Sequence, residues 1–351
     1  MFNFILRRLL YMLVVTFVVA VITFVLMRSV PGGPFDKEKP LPAEVRLQLE
    51  NAYHLNDPWI AQFGNYMSAV FIPKITTIPP TSGRIDDYLI TFKIGNVYFR
   101  WMNFGPSFAA RGRTVNDIFR QQLPVSFQLG VMALLFSVVL GMTLGLLAAL
   151  KQNSLLDYLG MSVAILGVSV PMIVLGPVVV YIFGVLLKWL PPSGWGSKPP
   201  FVLGLFPSSF GWEYIKYTIM PAAVLGFGGS AIFARLTRAS LLQVINEDYI
   251  RTAHAKGLKN SLVITRHALR NALIPVTTII GPMFAALITG TFVTELIFGI
   301  PGMGRYFVSS ISNRDYPVIM GTILLYAVLL VICNLVVDIM YAFLDPRIRY
   351  N

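Results

Sequence analysis

The chain has 351 residues, of which 56% are hydrophobic and only 13% charged, against about 25% charged in a soluble globular protein. The deficit is concentrated in long stretches that carry no Asp, Glu, Lys, Arg or His, which excludes an ordinary soluble fold. The net charge of +12 needs no nucleic-acid partner, because Lys and Arg gather at the cytoplasmic ends of membrane-crossing helices.

The first apolar stretch is Leu9 to Met27. It is longer than the roughly 7–15 residues of a signal-peptide core. The sequence Arg28-Ser29-Val30-Pro31-Gly32-Gly33-Pro34 that follows offers no small-x-small cleavage site. A retained helix is therefore expected over residues 1–30. Residues 31–123 carry ten basic and eight acidic side chains, and a loop of that length crosses a membrane largely regardless of charge. Pro79-Pro80 and Thr81-Ser82-Gly83 read as turns, and Tyr88 to Ile94 as a short strand. Trp59, Phe63, Tyr66, Tyr98, Phe99, Trp101 and Phe104 are too many aromatics for a disordered composition. A small ordered external subdomain is expected.

Residues 124–350 then form a five-helix core, with helices expected at 124–150, 158–187, 217–240, 271–298 and 316–344 and a polar loop at 241–272. Each underlying apolar run is 18 residues or longer, enough to cross a hydrocarbon layer of roughly 30 Å. Period-2 alternation is absent, so the fold class is an all-α polytopic membrane protein with six helices. Gly141 and Gly145 have the small-x-x-x-small spacing of a close helix contact. Pro171 and Pro282 are candidate kinks that would open a cavity. Trp189, Trp195 and Trp212 suit an aromatic belt in the external loop 188–216. Gly299-Ile300-Pro301-Gly302-Met303-Gly304 cannot continue a regular helix. Cys333, the single cysteine, has no partner for a disulfide or zinc site and reads as a small apolar residue.

Six helices put both termini on one side. Arg7, Arg8, Lys151, Arg235, Arg238, Arg251, Lys256, Lys259, Arg266, Arg270, Arg347 and Arg349 all fall on that side, which is therefore the cytoplasm. Ionisable residues near spans carry a functional prior. Asp338 is either a helix-packing partner or part of a gate. Glu295 either lines an external mouth or pairs with Arg305.

The loop is the most informative stretch. Asn246-Glu247-Asp248-Tyr249-Ile250-Arg251-Thr252-Ala253-His254-Ala255-Lys256-Gly257-Leu258 reads as a helix that enters near Asn246 and stops at Gly257, where a positive φ favours glycine. A second helix begins near Asn260-Ser261, both suited to an N-cap. Physics alone leaves two readings open, a docking element for another protein or a solvated positive loop.

This stretch resembles the loop that membrane subunits of ATP-binding-cassette importers insert into their ATPase. Arg251-Thr252-Ala253-His254-Ala255-Lys256-Gly257-Leu258, followed by Arg266-His267-Ala268-Leu269-Arg270-Asn271-Ala272-Leu273-Ile274-Pro275, is similar to the dipeptide, oligopeptide and nickel permease branch. Arg251 stands where importers generally have Glu, and the Gly257-to-Pro275 spacing is longer than in sugar or amino-acid permeases. Both departures are similar to the peptide branch itself. Phe4-Ile5-Leu6-Arg7-Arg8-Leu9, Tyr53-His54-Leu55-Asn56-Asp57-Pro58, Phe104-Gly105-Pro106-Ser107-Phe108, Ala148-Ala149-Leu150-Lys151-Gln152-Asn153 and Asp345-Pro346-Arg347-Ile348-Arg349-Tyr350 extend the resemblance to B-type subunits of peptide importers over nearly the whole chain. Ser68 to Asn103 is longer than that family leads one to expect.

The resemblance implies the type I importer permease fold in a bacterial or archaeal cytoplasmic membrane. It implies a second, homologous permease as heterodimer partner, two ATPase subunits that hold ATP and Mg, and an extracytoplasmic binding protein that delivers peptide. Tyr249, Arg251, Thr252, Ala253, Ala255, Lys256, Gly257 and Leu258 would contact the ATPase. No cofactor or metal is expected on this chain, and no catalytic residue. The dipeptide Gly-Lys is absent, so no phosphate-binding P-loop exists, and His54, His254 and His267 are its only histidines. Nickel chelates, glutathione or sugars stay open as cargo. A self-sufficient secondary transporter would need buried charges at mid-membrane. A membrane-embedded enzyme would need clustered His, Asp or Glu, and no such cluster occurs.

Overall fold

A computed structural model describes residues 2–35, 42–78, 87–110, 112–289 and 291–344. The turns expected at Pro79-Pro80 and Thr81-Ser82-Gly83, and the closing stretch Asp345 to Tyr350, lie outside the described residues. Among the described residues, four helices are long and apolar enough to cross a membrane: Leu6–Ser29, Val115–Leu150, Trp212–Ile245 and Tyr316–Ile339. Two bent pairs bring the total to six if each is one span, Leu155–Ser169 with Met172–Leu186 at 106° and Asn260–Ala272 with Ile274–Ile288 at 50°.

The chain forms two compact units. One contains residues 12–124 and 305–327, so the stretch 305–327 clusters with the N-terminal residues and not with the core to which the sequence assigns it. Its elements are most of α1 (Phe2–Ser29), α2 (Ala43–Ala52), α3 (Trp59–Phe71), β1 (Lys74–Thr76), β2 (Ile90–Ile94), β3 (Val97–Trp101) and the start of α4 (Val115–Leu150), with parts of two later helices. Phe63 of α3 packs edge-on against Phe17 and Phe24 of α1, at centroid distances of 5.9 and 5.3 Å. The strands make an antiparallel sheet in the order β1-β3-β2, an addition to the helical fold. Helix α4 starts nine residues before the expected Pro124. The reason is a reciprocal cap: the Asp117 N–H donates to the Thr114 hydroxyl at 3.1 Å and the Thr114 N–H donates to the Asp117 carboxylate at 3.0 Å.

The other unit holds residues 1–11, 125–304 and 328–351. It contains the rest of α4, then α5 (Leu155–Ser169), α6 (Met172–Val179, continuing as a π-helical turn to Leu186), α7 (Trp212–Ile245), α8 (Asp248–Ala255) and α9 (Asn260–Leu262). After a π-helical turn at Val263–Ala268 come α10 (Leu269–Ala272), α11 (Ile274–Thr289) and α12 (Phe292–Ile297). Helix α13 (Gly304–Ser312) lies in the first-described unit from Arg305 on, and α14 (Tyr316–Leu344) enters this unit at Val328.

Glycines set a close helix contact here. A Cβ on Gly141 would overlap the Ser230 carbonyl and the Phe233 Cβ, and one on Gly145 would overlap the Ala234 carbonyl and the Thr237 Cβ. Helices α4 and α7 therefore touch backbone to backbone, as the spacing of the two glycines suggests. Trp195 departs from the aromatic-belt expectation. It is buried among Val125, Leu129 and Tyr214 and donates its indole N–H to Gln128 Oε1 at 3.2 Å, whereas Trp189 and Trp212 are exposed.

Two expected continuous spans are broken. The one at 158–187 breaks at Val170-Pro171. Pro171 has no N–H to continue the ladder and holds Val170 in extended backbone (ψ 117°). The one at 271–298 stops at Thr289 and resumes at Phe292. The 50° bend lies at Leu273, ahead of Pro275. Helix α11 runs through Pro282, the residue at which the kink is expected from sequence.

Candidate functional site

Helix α8 is short and amphipathic. Ile250 and Ala253 are buried, while Tyr249, Arg251, Thr252, His254, Ala255 and Lys256 are exposed. Its end is set by a paired C-terminal motif. The Gly257 N–H donates to the His254 carbonyl at 2.9 Å, the Leu258 N–H to the Ala253 carbonyl at 3.4 Å, and Gly257 has φ +76°. This left-handed residue turns the chain and satisfies two carbonyls that would otherwise be orphaned. Leu258 folds back onto the same apolar cluster as Ala253, the hydrophobic contact that accompanies such a cap. Lys259 takes the N-cap position of α9, with no side-chain cap from Asn260 or Ser261.

Beneath α8 lies a cluster of Ala149, Leu241, Ile250, Val263, Ala268 and Ala272. It joins α8 to the ends of α4 and α7 and to α10. Asn271 Nδ2 donates to the Tyr249 hydroxyl at 2.8 Å and ties the start of α8 to α10. A cavity of about 500 Å³ lies between the α4–α5 turn and α8, with Lys151, Gln152, Asn246 and His254 among its walls. Of the eight residues assigned to the ATPase contact, Ala253 and Leu258 thus face inward and seat the helix. The remaining six form the exposed surface. The exposed Arg251–Asp248 pair, at 3.5 Å, adds little stability.

One pair in this region was not singled out from sequence. Arg238 on α7 grips Asp157 on α5, Nε to Oδ1 and Nη2 to Oδ2, each at 2.7 Å. The carboxylate side chain is only 4% exposed and also accepts the Asn153 N–H at 3.0 Å. Bidentate guanidinium–carboxylate geometry fixes orientation as well as distance. The only advance signal is an Asp one turn inside a helix start, opposite a basic helix end.

The residues considered for a gate or pathway are dispersed. Glu295 is 2% exposed. Its Oε1 accepts the hydroxyls of Ser126 (2.6 Å) and Thr291 (2.5 Å), and its Oε2 accepts the Gly304 N–H at 2.9 Å. Ser126 in turn accepts the Met303 N–H at 2.7 Å. Gly302 sits so close that any Cβ would overlap this carboxylate. Glu295 is turned into the protein, where it anchors the Gly299–Gly304 turn to α4. Arg305 is exposed in the other unit and lies over the Tyr306 ring at 5.1 Å. Asp338 pairs with Arg8 at 2.8 Å, tying α14 to the first turns of α1. Pro171 lines a cavity of about 360 Å³ with Gly167, Met172, Gly228, Gly229 and Met283, and Pro282 is exposed. Among the described residues, no group of three or more His, Cys, Asp or Glu could hold a metal ion.

Residues 141–350 match the family described as binding-protein-dependent transport system inner membrane component, and residues 1–81 match that family's N-terminal part. The chain is 41% identical over 351 residues to the dipeptide transport system permease protein DppB of Bacillus subtilis, covering 100% of this chain and 99% of that protein. It is 40% identical to the oligopeptide transport system permease protein OppB of Haemophilus influenzae and 38% identical to that of Escherichia coli, each over 350 residues and with 100% of both chains covered.

Proposed function

We propose that the chain, which belongs to the family of inner membrane components of binding-protein-dependent transport systems, forms half of the translocation pathway of an ATP-driven peptide importer. Peptides, oligopeptides first, are the cargo in this reading, because end-to-end relatives are named for oligopeptide and dipeptide transport. A second, homologous permease completes the pathway. Two ATPase subunits hold ATP and Mg, and an extracytoplasmic binding protein delivers the cargo. The chain itself binds no nucleotide, and both termini lie in the cytoplasm.

The observation that carries this reading is the build of α8. Its exposed face, with Tyr249, Arg251, Thr252, Ala255 and Lys256, is polar and basic, while Ile250, Ala253 and Leu258 lock it onto the ends of α4 and α7. A helix so seated passes on a push from outside instead of absorbing it. Closure of the ATPases around ATP then moves α8, and α4 and α7 follow. The bundle is shifted between two open states by binding energy supplied elsewhere. The Asp157–Arg238 clamp makes α5 move with α7. Because α5 leads into the 106° break at Pro171, the motion reaches the cavity beside Gly228, Gly229 and Met283.

The test is co-purification of this chain with the second permease and the ATPases, followed by ATPase assays in nanodiscs. Peptide-loaded binding protein should raise hydrolysis and drive uptake into vesicles. Peptide uptake by the chain alone, driven by an ion gradient, would refute the reading. Uptake of a nickel chelate, glutathione or a sugar, with peptides inert, would refute the cargo only.

A further inference from the structure

The three-stranded sheet has two chemically distinct faces. Directly paired residues share a face, and the register pairs Ile75 and Phe92 with Phe99, Ile90 with Trp101 and Ile94 with Val97. One face is thus wholly apolar. The opposite face pairs Lys74 and Thr91 with Arg100, and Thr76 and Lys93 with Tyr98. The apolar face is open: Ile75 is 71%, Ile94 67% and Phe92 45% exposed. A contiguous exposed apolar face of this kind marks an interaction surface.

The sheet's attachment indicates what covers it. It is pinned to the end of α3, because the Asn103 N–H donates to the Ala69 carbonyl at 3.0 Å and the Trp101 indole to the Phe71 carbonyl at 3.1 Å. Helix α3 in turn lies against α1 through Phe63, which meets Phe24 and Phe17. At 1.5 Å per residue those contacts lie about 7 and 18 Å along α1 from Ser29, the end of its apolar span. Phe63 is therefore at membrane depth, and Phe71 is only about 12 Å of helix beyond it. The sheet begins three residues later, at Lys74.

We propose that the apolar face of this sheet rests in the headgroup–acyl boundary of the leaflet at the Ser29 end of α1, so that its partner is the lipid surface. Amphipathic helices lying in that boundary bury their apolar face about 5–10 Å deep, and the apolar face of the sheet is placed at the same level. The opposite face then stands at the level of the phosphates. Its Lys74 and Lys93 are exposed, and with no acidic residue in any of the three strands they suit anionic headgroups.

Adjacent positions in β2 provide the test, since successive side chains point to opposite faces. Phe92→Cys and Thr91→Cys, each in a Cys333→Ala background, are labelled with an environment-sensitive nitrobenzoxadiazole in the assembled transporter. The nanodiscs contain phosphatidylglycerol and a lipid with a doxyl quencher near the glycerol. A blue-shifted signal with several-fold stronger quenching at position 92 than at 91 is expected. Ile75→Cys against Thr76→Cys repeats the comparison on β1 should the Phe92 variant fail to assemble. Equal quenching on both faces overturns the proposal. So does a face-92 signal that is water-like until peptide-loaded binding protein is added, which would make the face a protein-docking surface.

Discussion

Arg238 holds Asp157 by two hydrogen bonds of 2.7 Å across 81 residues of chain, and the pair joins α5 to α7 just ahead of the turn into α8. Asp157→Ala leaves a guanidinium without its acceptor, and Arg238→Ala leaves a nearly buried carboxylate with only the Asn153 N–H as donor. Either change should lower uptake more than it lowers assembly. Swapping the pair, Asp157→Arg with Arg238→Asp, should recover part of the loss. Uptake normalised to assembled complex is the measurement, and full activity in both single variants contradicts the clamp.

Gly257 is required for its backbone, not for its size. A Cβ there meets nothing within 4 Å, but φ is +76°. A left-handed L-residue costs about 1–2 kcal/mol, so Gly257→Ala should already loosen the end of α8, with Gly257→Val worse and Gly257→Asn milder. The readout is the ratio of hydrolysis to peptide uptake, which should rise in that order from Asn to Val.

The Glu295 cage predicts a different pattern. Glu295→Ala leaves two hydroxyls and the Gly304 N–H without their acceptor, at a cost of about 1–3 kcal/mol for each group left buried and unsatisfied. Glu295→Gln should be intermediate, since one oxygen still accepts. Gly302→Ala should destabilise through the same cage by steric overlap. Thermal unfolding in detergent ranks the three, and a neutral Gly302→Ala would contradict the packing described.

The start of α4 gives a local test. Thr114→Val removes one half of its cap and should cost about 0.5–2 kcal/mol. Hydrogen exchange should speed up in the first turn, at Val115 to Ile118, and stay unchanged past Pro124.

Much of this architecture was legible in the chain because lipid leaves few options. Charge-free runs of membrane length mark the apolar helices, and Gly257 marks the end of α8. Gly141 and Gly145 mark the α4–α7 contact. What was not legible depends on partners distant in sequence. Pro171 announces a break but not its 106° angle, which packing sets. Trp195 looks interfacial until Gln128 supplies its acceptor. Glu295 looks like a mouth residue until Ser126, 169 positions earlier, closes over it. The Thr114–Asp117 cap is different: its Thr-x-x-Asp spacing is local, and it stood in the sequence ahead of the later, more conspicuous Pro124.

The central claim, that the exposed face of α8 receives the motor, is tested most directly by disulfide trapping. Ala255→Cys in a Cys333→Ala background should cross-link to a cysteine placed in the groove of the ATPase partner, and ATP should change the yield. An Ala255→Cys thiol that stays open to maleimide in the ATP-competent complex and never cross-links would contradict it.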